Sequence, residues 1–128
     1  MNEPIVFVSR FALRPGGRAA LEAALADGVA AIQSGKPATA LYGAYLDEPE
    51  TVVRFVHAFA DGLALERHFE GSEERASSVA GLLVPAGFEL YGEASPGPVG
   101  QLRREAAAAG VPLHTFPRGI GGFLRAPG

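Results

Sequence analysis

The chain has 128 residues, 48% of them apolar, a length for which one domain is the prior and a single core can bury roughly two thirds of the unfolded surface. Its net charge is −3, and its ten arginines and one lysine are scattered rather than clustered, so it lacks the basic footprint of a nucleic-acid or anionic-membrane binder. It has no cysteine, which excludes disulfides, thiolate metal sites and cysteine nucleophiles and fits a reducing, cytoplasmic setting.

The N-terminal Met-Asn-Glu-Pro carries no basic segment and runs directly into apolar sequence, so no signal peptide is expected. No apolar run approaches the ~20 residues that span a bilayer. Ile5 to Leu13, rich in Val and Phe, predicts a first strand. After the loop Pro15-Gly16-Gly17, Leu21, Leu25, Val29 and Ile32 form one apolar stripe of a helix over 18–33. Ser34-Gly35-Lys36-Pro37 ends that helix.

Ala40 to Leu46 and Thr51 to Ala60 predict two strands joined by the acidic turn Asp47-Glu48-Pro49-Glu50, a hairpin with a longer loop than the tight kind. Asp61 is an N-cap for a short helix reaching Phe69. Gly71-Ser72 breaks it, and Ser72 caps a second piece with Glu73 and Glu74 in its positive first turn. Ala76, Val79, Ala80 and Leu83 are that helix's buried stripe, and Pro85-Ala86-Gly87 stops it. Phe88 to Ala94 predicts a fourth strand. Ser95-Pro96-Gly97-Pro98 reads as a linker, followed by a helix over 99–109 and short strands over 111–116 and 120–125.

The order β-α-β-β-α-β is the split-βαβ, ferredoxin-like pattern. The fold class is therefore α+β: a four-stranded antiparallel sheet over residues 1–95 with helices on one face, plus a helix-strand extension over 96–128. In the first strand Phe7, Phe11 and Leu13 share one side, and Val6, Val8, Ala12 and Arg10 the other. In the third, Val53, Phe55, His57 and Phe59 oppose Val52, Val56, Ala58 and Arg54. A sheet apolar on both faces is normally covered on both. The helices cover one, and a second copy packed sheet to sheet is the expected cover for the other.

Two of the three histidines stand on adjoining elements, His57 on the third strand and His68 on the helix that follows. An imidazole titrates near neutrality, which suits a general base. Two readings stand for each. His68 acts as a base or binds a phenol oxygen, or it is packed at a helix end. His57 joins it in a proton-transfer site, or it is a satisfied core group. His114 has no metal-type spacing to either, and no metal site is expected. Arg10 and Arg54 form an ion-pair cluster with Glu89 and Glu93 at a dimer interface, or an anion clamp. Arg14-Pro15-Gly16-Gly17-Arg18 lacks the Lys-Ser/Thr ending of a phosphate loop.

Residues 4–95 resemble the antibiotic-biosynthesis-monooxygenase-like proteins of the dimeric α+β barrel superfamily. The resemblance lies in the element order, in Pro37…Leu41-Tyr42…Leu46-Asp47-Glu48-Pro49, and in the stretch from His57 to His68. Members of that family commonly carry Glu-x-Trp, then an acidic residue, then Ala-Leu-x-x-His. Asp61, Ala64-Leu65 and His68 keep the pattern, while His57 replaces the glutamate and Phe59 the tryptophan. The family's frequent second histidine is absent, since Ser72, Glu73 and Glu74 occupy that region. Its haem degraders use a histidine with an Asn and a Trp. This chain has no Trp and only Asn2, so that branch is not expected.

The resemblance implies a homodimer and a cofactor-independent monooxygenase acting on a small aromatic or quinol-like ligand, without metal or flavin. His68 or His57 takes the proton, Phe55 and Phe59 exclude water, and Tyr42 matches the family's aromatic on the second strand. The alternative is a non-catalytic ligand-binding or interaction module of the same fold.

Overall fold

A computed structural model describes residues 4–70 and 72–125, with the side chains of 73–75 left aside. The N-terminal tripeptide, the break at Gly71 and the side chains of Glu73 and Glu74 lie outside the described residues. The elements are β1 (Ile5–Leu13), α1 (Arg18–Gly35), β2 (Thr39–Leu46), β3 (Val52–Phe59), α2 (Gly62–Phe69), α3 (Ser72–Ser77), β4 (Leu83–Tyr91), α4 (Pro96–Ala109) and β5 (Leu113–Phe116). They form one five-stranded sheet in the order β2-β3-β1-β4-β5. The first four strands are antiparallel, as the split-βαβ pattern predicts, while β5 adds to the β4 edge in parallel. A parallel neighbour needs a crossover, and α4 supplies it. Among the described residues no helix is long and apolar enough to cross a membrane.

Several boundaries differ from the sequence expectation. β4 begins at Leu83, so Pro85-Ala86-Gly87 lies inside a strand. Arg10 pairs with Gly87 and Phe11 with Pro85, which leaves Ala86 as the extra residue of a bulge. A bulge tolerates proline because the ladder is already interrupted there. The α3 helix consequently ends at Ser77, and Leu83 belongs to a strand rather than to a helical stripe. The supposed linker is the first turn of α4, with Pro at its start. Proline there loses no hydrogen bond that the helix would otherwise make. Residues 120–125 form no strand. On α1, Leu21 and Ile32 are buried, yet Val29 is exposed.

The helical face of the sheet carries two apolar clusters. Ile5, Phe7, Phe59, Phe88 and Leu90 pack with Ala64 and Leu65 of α2 and with Leu102 and Ala106 of α4. Leu13, Val53, Phe55 and Leu83 pack with Leu21 of α1. Phe11 touches both clusters, and the helices leave a gap above it. On the other sheet face stand Leu41, Tyr45, Val52, Val84, Tyr91 and Phe116, all exposed.

Two carboxylates hold the turns that frame the gap. Asp61 caps α2, its Oδ1 accepting from Ala64 N at 2.9 Å. Asp47 closes the β2–β3 hairpin by accepting from Thr51 N at 2.8 Å, Val52 N at 3.0 Å and the Thr51 hydroxyl at 3.0 Å. The Val52 amide, first, and then the Thr51 groups lower the Asp47 pKa from its ordinary value.

Replacing Asp61 with Ala should cost about 1 kcal/mol, a typical cap. At this size that is a fall of about 4 °C in Tm by calorimetry, and an unchanged Tm would remove the cap from the account. Asp47 has a folded pKa below its unfolded one, so its stabilisation is full above the ordinary carboxylate range. It is lost as pH falls through the depressed value. Acid unfolding of Asp47→Asn, followed by circular dichroism, should show a weaker dependence on pH in that window than the parent chain.

Candidate functional site

The gap between the two clusters is a cavity of about 420 Å³, within the range of small-ligand pockets. Phe7, Phe11, Phe55 and Phe88 make most of its floor, His57, Tyr42 and His68 close one side, and Phe69 stands above. The floor is built by strand alternation. Phe7 pairs directly with His57, and His57 with Tyr42, so all three point to the helical face. The rings hold one another: Phe11 meets Phe55 edge-on at 5.5 Å and Phe88 at 6.5 Å, and Phe7 stacks on Phe88 at 6.1 Å.

His57 is 5% exposed and His68 4%. Their ring centroids are 4.8 Å apart with planes at 66°. The Nδ1 of His57 lies 3.1 Å from the Phe7 carbonyl oxygen. A carbonyl only accepts, so Nδ1 carries the proton and, in the neutral ring, Nε2 carries the lone pair. The ring also stacks on Phe7 at 5.2 Å and lies against Tyr42 at 5.0 Å. His68 reaches the same place from above. Asp61 starts α2 immediately after β3, and Ala64, Leu65 and His68 are the buried face of that helix. The His68 Nδ1 lies 3.5 Å from the Thr39 hydroxyl on β2.

Two imidazoles in ring contact within so apolar a wall are costly to charge together. The arrangement places two imidazoles beside an aromatic-lined space. Lys36 stands outside it, donating to the Arg67 carbonyl at 2.6 Å at the end of α2.

Of the residues singled out from sequence, His57, His68, Tyr42 and Phe55 line this one cavity. Phe59 does not: it is fully buried behind the imidazoles, 5.1 Å from the His68 ring and 6.2 Å from that of His57. His114 sits on β5 opposite Glu89, exposed and away from the pair. Among the described residues no three His, Cys, Asp or Glu side chains group as metal ligands. Arg10 and Arg54 lie on the other sheet face, and neither forms an ion pair with Glu89 or Glu93 among the described residues. The Arg10 guanidinium lies over Gly87, where a Cβ would stand 2.5 Å from Nη2.

Sequence reasoning overlooked Ser9, which also lines the cavity. A signal existed: along β1 the inward positions read Ile5, Phe7, Ser9, Phe11, Leu13, with one polar residue among them. Phe88 was also missed, because its strand was expected to start there rather than at Leu83.

No protein-family model matches the chain, and no curated protein matches it. Solved structures do. MupZ from Pseudomonas fluorescens is 19% identical with a TM-score of 0.73, the match covering 97% of this chain and 96% of that one. A putative antibiotic biosynthesis monooxygenase from Caulobacter crescentus is 18% identical with a TM-score of 0.61, covering 70% and 88%. SnoaB, a cofactor-independent oxygenase from Streptomyces nogalater, is 19% identical with a TM-score of 0.59, covering 75% and 98%. The match to MupZ is long enough to include α4 and β5. The chain thus has the fold of the antibiotic-biosynthesis-monooxygenase-like proteins, extended at its C-terminus by a helix and an edge strand.

Proposed function

We propose that this protein is a cofactor-independent monooxygenase acting on a small aromatic or quinol-like molecule held in the cavity. The observation that carries the reading is the pair of buried imidazoles in contact at the wall of an aromatic-lined space of about 420 Å³. One imidazole accepts a proton from an activated phenol or from the acidic CH2 of an anthrone-like ring. The resulting anion is electron-rich and reacts with dioxygen directly. One oxygen atom becomes a ring carbonyl and the other leaves as water. An anthrone-like carbon gives up both its hydrogens, and a phenol gives up one ring C–H and its O–H, so the sum in the keto form is CH2 plus O2 to C=O plus water. No metal or flavin enters this scheme. The protein's part is to remove the proton, hold the ring flat against Phe7 and Phe55, and keep water out. SnoaB, described as a cofactor-independent oxygenase, lends support through the shared fold, and fold alone does not carry function.

A second reading is a non-catalytic binding module. On its side is the His57 ring itself, anchored to the Phe7 carbonyl and stacked on Phe7, as a packed core imidazole would be. Oxygen uptake with 1,4-dihydroxynaphthalene and anthrone separates the two. For the oxygenase, His57→Ala and His68→Ala should each lower turnover about 100-fold or more while circular dichroism stays unchanged. Ligand binding without uptake in the parent chain would favour the module.

The exposed sheet face belongs to the same proposal. Leu41, Tyr45, Val52, Val84, Tyr91 and Phe116 form an apolar surface of a kind that monomers seldom leave open. A homodimer packed through this face covers it and takes in Arg10, whose Nε is buried without a partner. We read residues 1–95 as the dimerising unit and 96–128 as its extension. Light scattering at micromolar concentration should return twice the chain mass. Val52→Glu on that face should halve it, and a monomeric parent chain would end this part of the proposal.

A further inference from the structure

His68 stands between two spaces. On one side it lines the aromatic cavity, where it is 4% exposed. On the other, its Nδ1 lies 3.5 Å from the Thr39 hydroxyl. Thr39 in turn lines a second hollow of about 300 Å³, whose wall carries Lys36, Arg67 and Glu70. Among the described residues, the His68 ring is the one hydrogen-bonding partner of the Thr39 side chain.

A local irregularity puts Thr39 there. Tyr42 faces the helices, so regular alternation along β2 would turn Ala40 inward and Thr39 to the opposite face. The ladder instead pairs Leu41 with Ala58 and Thr39 with Phe59, which makes Ala40 the extra residue of a bulge. A bulge re-aims a side chain, and bulges are frequent next to active sites. Here it brings the Thr39 hydroxyl to the helical face, against the one polar residue on the buried face of α2.

The roles in this contact follow from what lies on each side. A hydroxyl has one proton to give and lone pairs with which to accept. The hollow is rimmed by the exposed Arg67 and Glu70, so water there can take the Thr39 proton. A lone pair of the hydroxyl then accepts from His68, whose Nδ1 carries the proton. His57 is held in the same way, its Nδ1 donating to the Phe7 carbonyl. At 3.5 Å the contact is long, as bonds to a general base often are until substrate closes them.

We propose that Thr39 is a positioning residue for His68. By accepting from Nδ1–H it fixes the tautomer and leaves the lone pair on Nε2, the nitrogen that then takes a proton from the ligand. Both imidazoles are thereby held as Nε2 bases by groups of the sheet. The part about the ligand rests on the reading of the pair as a proton-accepting site, whereas the tautomer is a property of the protein alone.

The test is nitrogen NMR of isotope-labelled histidines without substrate, at about pH 8.5, where an ordinary imidazole is neutral. In the parent chain His68 should show a protonated Nδ1 and a bare Nε2. Thr39→Val keeps the shape and removes the hydroxyl, and should shift His68 toward the Nε2–H form that a free histidine side chain prefers. Thr39→Ser should restore the parent pattern, and His57 should not change in either variant. With a substrate that the parent chain oxidises, Thr39→Val should lower kcat about tenfold at unchanged KM, and Thr39→Ser should recover most of the loss. A bare Nδ1 in the parent chain, a Thr39→Val spectrum like the parent's, no recovery in Thr39→Ser, an equal change at His57, or an unchanged kcat would each overturn the proposal. A parent chain that takes up no oxygen would instead end the oxygenase reading and leave the tautomer result standing.

Discussion

β1 is hydrogen-bonded on both sides along nearly its whole length, to β3 and to β4. Everything on the helical face is built on the row of side chains this strand turns inward. Ile5 and Phe7 join the cluster beneath α2 and α4, and Leu13 joins the one beneath α1. Phe11 lies between them and Ser9 lies in the open floor. A slip of one residue would send all five to the opposite face. It would put Val6, Val8 and Arg10 under the helices, separate His57 from the Phe7 carbonyl, and abolish the cavity. The bulge at Ala86 lets β4 follow β1 past Pro85 without losing that register.

The cavity exists because the helical layer does not close. The α1 helix is rich in Ala and packs on the sheet through Leu21, with Val29 left exposed. The α2 helix is short, and α4 packs at the far end through Leu102 and Ala106. Aromatic rings line the remaining space because they fill width that Ala and Leu cannot. Their mutual contacts make the floor a continuous aromatic surface. The same rings raise the cost of charging the two imidazoles that stand among them.

Much of the fold was legible in local pattern. The alternation of β1 and β3, the Asp61 cap and the acidic hairpin turn all act within a few residues, and each stands in the structure. The site was legible in part. His57 and His68 drew attention as two histidines on adjoining elements, and Tyr42 and Phe55 as aromatics on facing strands. Phe59 misled because alternation assigns a face, not a depth. It shares its side with His57 yet lies under Ala64 and Leu65 in the closed part of the core. Ser9 was passed over because a small polar residue in a strand carries no signal until its neighbours are known.

By itself the sequence determined the α+β order, the apolar character of both sheet faces and the residues that start and end most elements. These follow from periodicity and capping, which depend on residues close together in the chain. Tertiary structure decided that Pro85 sits in a bulge and that β5 joins the sheet in parallel. It also decided that the helices leave a gap, and that His57, His68, Tyr42 and Ser9 all face it. Each of those depends on which distant segments come to lie side by side. Register and packing across the sheet set that, and no local pattern encodes it.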